Sequence, residues 1–302
     1  MLKKLVFCWL VTISLSVQAE ARQEVLVLGK VSTDPHQHYQ HLKNMVDYVA
    51  ARMQDLGIRR GEVLIARDNQ QMIQYLREGK VDWVGETVFS GILFEQKANA
   101  EILLRRWKKG VPTYRTVFIT RKDSGIRQLS DLIGKTIAFE DPGSTSAYFI
   151  PVAELLSAGL QLARLKSPGQ AVPVGKIGYV FSKEEINTST WVYKGLVDAG
   201  AYSNLNWQSE KDTPKNSRRM MTVFHQTAEM PRAIEVVRGD LASAVKARIK
   251  TILLQSAKDP VAKSVLQGYG KTSKFDSIKK MPANSLKQAR RMLDIMKKEQ
   301  VK

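Results

Sequence analysis

The sequence has 302 residues, with 47 Lys and Arg against 29 Asp and Glu, a formal net charge of +18 and one cysteine, Cys8. A charge of that size draws anions toward the surface, yet no basic helix interleaved with aromatics is present to read nucleic acid. A single cysteine excludes a disulfide framework and a thiolate metal site.

Lys3 and Lys4 open the chain and an apolar run follows at residues 5–17. The run is far shorter than the roughly 20 residues of a membrane-spanning helix, and polar Gln18 and Glu20 follow at once. It reads as a secretory signal over residues 1–19. Small Val17 and Ala19 place the cut before Glu20, and Ala19 with Ala21 allow a second cut before Arg22. Export takes the protein away from nucleic acid, and because Cys8 lies inside the run, the exported chain carries no thiol. No second run approaches membrane length, so the expected product is a soluble monomer in the periplasm.

Residues 24–29 (EVLVLG) form a short buried strand, followed by a polar turn at Asp34-Pro35. Leu42, Met45, Val46, Val49, Met53 and Leu56 then recur at three- and four-residue steps, a helical period that Gly57 stops. Residues 63–66 are a strand, Asp68 or Asn69 caps a helix through Met72, Ile73 and Leu76, and Gly79 ends it. Residues 81–85 (VDWVG) return as a strand. This alternation is the βαβ signature of a mostly parallel sheet flanked by helices, an α/β class.

The rhythm restarts after Tyr114, with strands at 116–120 and 136–139 and helices at 126–132 and 144–158. Residues 166–178 (KSPGQAVPVGKIG) are rich in proline and glycine and make a loop. A helix at 191–196, strands at 197–201 and 233–237, and helices at 242–255, 260–266 and 285–298 complete the chain. The reading is two α/β lobes, the first from residues 22–113 plus 235–302 and the second from 114–234. The basic excess of residues 271–302 reads as a solvated helix face.

In an open parallel sheet, the loops at the carboxyl ends of the strands line the ligand crevice. They fall at residues 32–34, 68–71, 86–88, 140–146 and 202–204. The most informative is FEDPGSTSAYFIP, residues 139–151. A strand ends, Asp141-Pro142-Gly143 turns the chain, and Ser144-Thr145-Ser146 opens a helix. Free N–H groups, the helix dipole and three hydroxyls converge there on an anion, although a single hydroxyl also serves as an ordinary cap. At the crossing between lobes, Tyr114 and Arg115 face the cleft, where a guanidinium makes a bidentate contact to an oxyanion.

With RKDSGIRQLSDLIGKTIAF before it and NTSTWVYKGLVDAGA after it, this stretch resembles the phosphonate-, phosphite- and phosphate-binding periplasmic proteins of ABC importers. The resemblance runs from about Val25 to Ile278. It implies the two-lobed type II periplasmic binding-protein fold, with ligand held between the lobes and the Ser-Thr-Ser turn, here Ser144, Thr145 and Ser146, on the anion. The family's STSG has Ala147 in its last place. Where members often carry a tyrosine after the strand VDWVG, this chain has Glu86-Thr87. The His-Glu pair that holds the amine of aminophosphonates in some members falls near Glu184-Glu185, without a histidine.

Asn69, Glu86 and Thr87 in the first lobe and Glu185, Asn187 and Tyr202 in the second complete the expected ligand set. A carboxylate such as Glu86, Glu140 or Glu185 repels a bare anion but accepts a proton from a phosphorus oxyanion that carries one, which sulfate does not at neutral pH. His36, His38 and His41 lie at a polar helix start with no carboxylate or thiol at metal-ligand spacing, so no metal is expected, and His225 has no evident partner. No GxSxG, P-loop or HExxH pattern occurs, so no cofactor and no catalytic reaction are expected. The sequence therefore reads as a capture protein for an ABC permease. The same fold on a membrane receptor would make a sensory module, and an enzyme on this fold is the remaining alternative.

Overall fold

The computed structural model describes residues 24–32 and 34–300, so the signal expected at residues 1–19 lies outside the described residues. Strand β1 (Val25–Val31) buries Leu26 and Leu28 completely and leads into α1 (Pro35–Ala50). The helical stripe Leu42, Met45, Val46 and Val49 lies in the core, each side chain contributing roughly 1.5–3 kcal/mol on leaving water. The helix stops at Ala50, and a separate 3₁₀ segment (Gln54–Leu56) closes on Gly57 at φ 89°. Strand β2 (Arg60–Ala66) pairs in parallel with β1, Val25 opposite Arg60 through Val31 opposite Ala66. Helix α2 (Asn69–Arg77) is capped by Asp68, which accepts the Gln71 N–H at 2.8 Å, so Asn69 is the first helical residue and not the cap. Strand β3 (Trp83–Glu86) pairs in parallel on the other side of β1. Helix α3 (Val88–Ala98) and strand β4 (Glu101–Arg106) follow.

The chain leaves this sheet through β5 (Thr113–Tyr114) and enters β6 (Thr116–Arg121) and β7 (Thr136–Phe139). The helix expected at 144–158 is a π turn (Thr145–Phe149) running into α4 (Ile150–Ser157), and the one at 126–132 is a single 3₁₀ turn at Leu129–Leu132. Strands β8 (Gln161–Arg164) and β9 (Lys176–Phe181) follow, and β9 begins inside the segment read as a loop. Helix α5 (Glu185–Tyr193) ends earlier than expected, and Gly195 takes φ 69° in the turn that leads to β10 (Ala199–Ser203). Helices α6 (Asn204–Gln208) and α7 (Lys215–Met220) precede β11 (Met221–Gln226). The return passes through β12 (Met230–Pro231) to β13 (Ala233–Val237), α8 (Ser243–Ser256), α9 (Ala262–Gly268), β14 (Phe275–Asp276) and α10 (Ser285–Gln300).

Two six-stranded sheets result, ordered β14-β4-β13-β3-β1-β2 and β11-β6-β10-β7-β9-β8. Pairing is parallel through β2-β1-β3 and β10-β7-β9-β8, where the βαβ units build the sheet. It is antiparallel around β13 and β6, because strands arriving from the crossings run against those units. The crossings lie side by side, β5 antiparallel to β12 with Tyr114 opposite Met230. Two apolar clusters belong to one lobe each, and a third runs through both, with Phe89 stacked on Phe149 at 5.8 Å. Helix α10 packs on α3 of the first lobe and α4 of the second, burying Ala289, Met292, Leu293 and Met296. Arg290 fixes its orientation with two hydrogen bonds of 2.8 Å to Glu95.

Candidate functional site

A cavity of about 690 Å³ lies where the two lobes meet, at the ends of β3, β7 and β10 and beside the crossings. Ser144, Thr145 and Ser146 all line it. The turn is shaped by its own side chains: Asp141 accepts the Gly143 N–H at 2.8 Å, and Ser144 accepts the Ala147 N–H at 3.3 Å as the cap. A widened π turn after it, of a kind that recurs at functional sites, carries Thr145 and Ser146. The carbonyl of Ser146 accepts from Thr116 at 2.7 Å, pinning the turn to β6. Thr145 donates across the cleft to the Thr87 hydroxyl at 2.9 Å, a direct bond between lobes.

Tyr114 and Thr87 also line the cavity. Tyr114 is buried, and its phenol, raised above the ordinary value by burial, lies within hydrogen-bonding reach of Thr145 and Ser146. Arg232, which sequence reasoning did not single out, stacks on the Tyr114 ring with its guanidinium carbon 4.8 Å from the centroid. Its Nε is buried and has no hydrogen-bond partner among the described residues, although the residue borders the cavity. The backbone N–H of Arg232 donates to Pro112 at 2.9 Å, so the second crossing holds it in place. Its signal in the sequence was position, directly after Pro231 at the expected return crossing.

A second chemistry shares the cavity. Glu185 lines it beside Glu140, and burial, followed by the Glu185 charge, pushes the Glu140 carboxyl up to about 7. Glu140 is therefore partly protonated near neutrality. Asn206 donates to Glu185 at 3.1 Å and to Asp212 at 2.9 Å, and both Asn206 and Asp212 border the cavity. Neither carried a sequence signal, because they stand on the short helix and loop after β10.

Five expected residues sit elsewhere. Glu86 is buried and engaged by Lys30; burial raises its carboxyl, but the Lys30 ammonium holds it below the usual range. Arg115 turns to Glu229 and Gln226 and leaves the cleft to Arg232. Asn187 donates to the Ser182 carbonyl at 2.9 Å and steadies the loop after β9. Tyr202 is core, its hydroxyl 2.8 Å from that of Thr213. Asn69 opens α2, and its side-chain oxygen has no hydrogen-bond partner among the described residues. His225 meets Glu154 at 2.9 Å, a partner the sequence did not reveal.

Comparison with known proteins gives the family and the fold. The sequence profile of the family described as ABC transporter, phosphonate, periplasmic substrate-binding protein matches residues 31–281. The phosphonates-binding periplasmic protein of Escherichia coli K12 is 25% identical over 275 residues, covering 83% of this chain and 72% of that one. A Xanthomonas citri protein, XAC2383, solved bound to chloride ion, superposes with a TM-score of 0.84 at 39% identity over 91% of this chain and 99% of its own. PhnD1 of Prochlorococcus marinus, solved with methylphosphonate, shares the fold at a TM-score of 0.60 and 19% identity, covering 91% of this chain and 99% of its own. The chain belongs to the phosphonate family of periplasmic substrate-binding proteins that serve ABC transporters.

Proposed function

We propose that the protein captures a phosphorus oxyanion, a phosphonate, phosphite or phosphate, in the cavity between its lobes and delivers it to the permease of an ABC importer. The observation that carries this reading is the Nε of Arg232, buried beside Tyr114 and without a partner among the described residues, on a side chain that borders the same cavity as the Ser144-Thr145-Ser146 turn. A buried guanidinium nitrogen left without an acceptor is costly, and an oxyanion supplies that acceptor in a charge-assisted bond. Thr87 and Tyr114 close the donor set. The carboxylate pair Glu140 and Glu185 faces the remainder of the ligand or a proton that it carries.

In this reading residues 22–113 plus 235–302 and residues 114–234 are lobes that close about the β5/β12 crossings, a hinge motion. Residues 1–19 direct export, the protein works as a monomer, and it has no nucleic-acid partner and no catalytic role. The test replaces Ser144, Thr145 and Ser146 together by alanine and titrates methylphosphonate, phosphite and phosphate calorimetrically. Each lost bond to a charged group removes about 1.5–3 kcal/mol of binding, whereas the lost cap costs the empty protein only about 1 kcal/mol. Binding should vanish while the empty protein melts almost as before. Unchanged affinity would reduce the turn to a cap and reject the reading.

A further inference from the structure

We infer that the first lobe contains a second anion site, separate from the cleft, that takes an oligophosphate. It is a cavity of about 560 Å³ bounded by β1, α1, the turn after β4 and the turn after α9. Lys30, Arg106, Lys108, Lys109 and Lys271 line it, together with His38 and His41, and no carboxylate does. Lys30 is compensated from behind by Glu86 and Arg106 by Glu235. Lys108, Lys109 and Lys271 make no ion pair among the described residues; Lys109 also borders the cleft, so Lys108 and Lys271 are the unpaired ammonium groups that line this cavity alone.

Several observations register the crowding of positive charge. Burial, then Arg232 and Arg106, push the Lys108 ammonium down to about 7, with Lys30 adding to the effect and Glu86 opposing it. Burial, then Lys30 and Lys108, lower the His38 imidazole. Lys109 and Lys271 both occupy the left-handed backbone region, at φ 54° and 53°, and the Lys109 N–H donates to the Gly270 carbonyl at 3.2 Å. Such a conformation is unfavourable for a non-glycine residue, and here two of them are tied together with their side chains on one cavity.

The size of the ligand follows from the spread of these cations. They stand on separate elements around a cavity much larger than one tetrahedral oxyanion, so a single phosphate cannot meet them all. A chain of linked phosphates can, because it repeats acceptor oxygens and negative charge along its length. The cleft differs in make-up: it is built by both lobes and mixes Lys109, Lys183 and Arg232 with Glu140, Glu185 and Asp212, whereas the charged groups on this cavity are all basic.

The test titrates inorganic tripolyphosphate and pyrophosphate into the exported protein, with and without saturating methylphosphonate. Tripolyphosphate should bind at one site whether or not methylphosphonate is present. Lys271→Glu and Lys108→Met should each weaken tripolyphosphate by about tenfold or more, and Lys271→Glu, which lies away from Arg232, should leave methylphosphonate unaltered. Lys194→Glu, the same charge reversal on the exposed surface of the second lobe, should change little. The Ser144, Thr145 and Ser146 triple alanine variant should keep tripolyphosphate binding. The proposal is overturned if methylphosphonate displaces tripolyphosphate, if the triple variant loses it, or if Lys194→Glu weakens it as much as Lys271→Glu does. It is also overturned if neither polyanion binds. Loss of methylphosphonate binding alone would count against the cleft reading and leave this one standing.

Discussion

Arg232 and Glu140 each show how one buried group sets what the cleft accepts. Arg232 presents a buried nitrogen without an acceptor beside Tyr114, so Arg232→Ala should weaken methylphosphonate by about 1.5–3 kcal/mol, read by calorimetry. Arg232→Lys should recover only part of that, since an ammonium lacks the planar fork and its stack on the ring. The empty protein should lose little stability in either variant, because removing the unpartnered nitrogen offsets the lost stack on Tyr114. Glu140 gives the opposite kind of prediction. Its carboxyl is raised from 4.5 to about 7, so the folded state holds a proton that the unfolded chain releases. That contribution is complete below about pH 4.5 and is lost as pH rises through about 7. The melting temperature of the empty protein should fall across this window, and in Glu140→Gln the fall should be shallower. Equal slopes would mean that Glu140 titrates normally. At this scale the sequence showed the hydroxyl turn, because it stands at the end of a recognisable strand, and the family resemblance pointed to Glu185. It offered Arg115 in place of Arg232, because two arginines at two crossings look alike until the chain path is known.

At the scale of elements, the strongly periodic segments were legible and the weakly patterned ones were not. The stripe on α1 and the alternation β1-α1-β2-α2-β3 follow from apolar spacing. Helix α3 gave no such signal, because Val88, Phe89, Ile92 and Phe94 are buried on most of its surface, which erases the amphipathic period. The loop reading at 166–178 yielded to β9 because pairing with β7 and β8 outweighs local glycine and proline. The mixed pairing of both sheets was hidden, since direction is decided by where the crossings enter. Those crossings are only two residues long on each side, so lobe motion is expected to concentrate there and to break the bond between Thr87 and Thr145. Cys8 is the one cysteine of the sequence and lies near its start, and hydroxyls 2.9 Å apart bring positions 87 and 145 close enough to test a crosslink. A Thr87→Cys, Thr145→Cys double variant should therefore crosslink on oxidation and hold the lobes together. Small-angle scattering should show no change on adding methylphosphonate to the oxidised form and a restored change after reduction. A change that persists in the oxidised form would place the moving joint elsewhere.

For the molecule as a whole, the long-range field and the local chemistry of the cleft point in different directions. A net charge of +18 favours the most highly charged small anion that approaches, and sulfate is fully dianionic near neutrality. Inside the cleft, however, Glu185 borders the cavity beside Glu140, whose carboxyl burial pushes up to about 7. A charged carboxylate there accepts a hydrogen bond from a ligand with a P–OH group, whereas sulfate offers only lone pairs, which the charged form repels and only a protonated Glu140 can meet. The field therefore sets how fast anions arrive and the carboxylates set which remain, a division that salt separates because only the long-range part is screened. Phosphite should bind at least about tenfold more tightly than sulfate, the equivalent of one charge-assisted hydrogen bond, and the ratio should hold as ionic strength rises. Glu140→Gln and Glu185→Gln should narrow it, since an amide donates to the unprotonated oxygen that a carboxylate repels. Calorimetric titration of both anions on the wild type and the two variants decides the matter. Tight sulfate binding by the wild type, or a ratio untouched in both variants, would leave recognition to Arg232, Tyr114 and the hydroxyl turn alone.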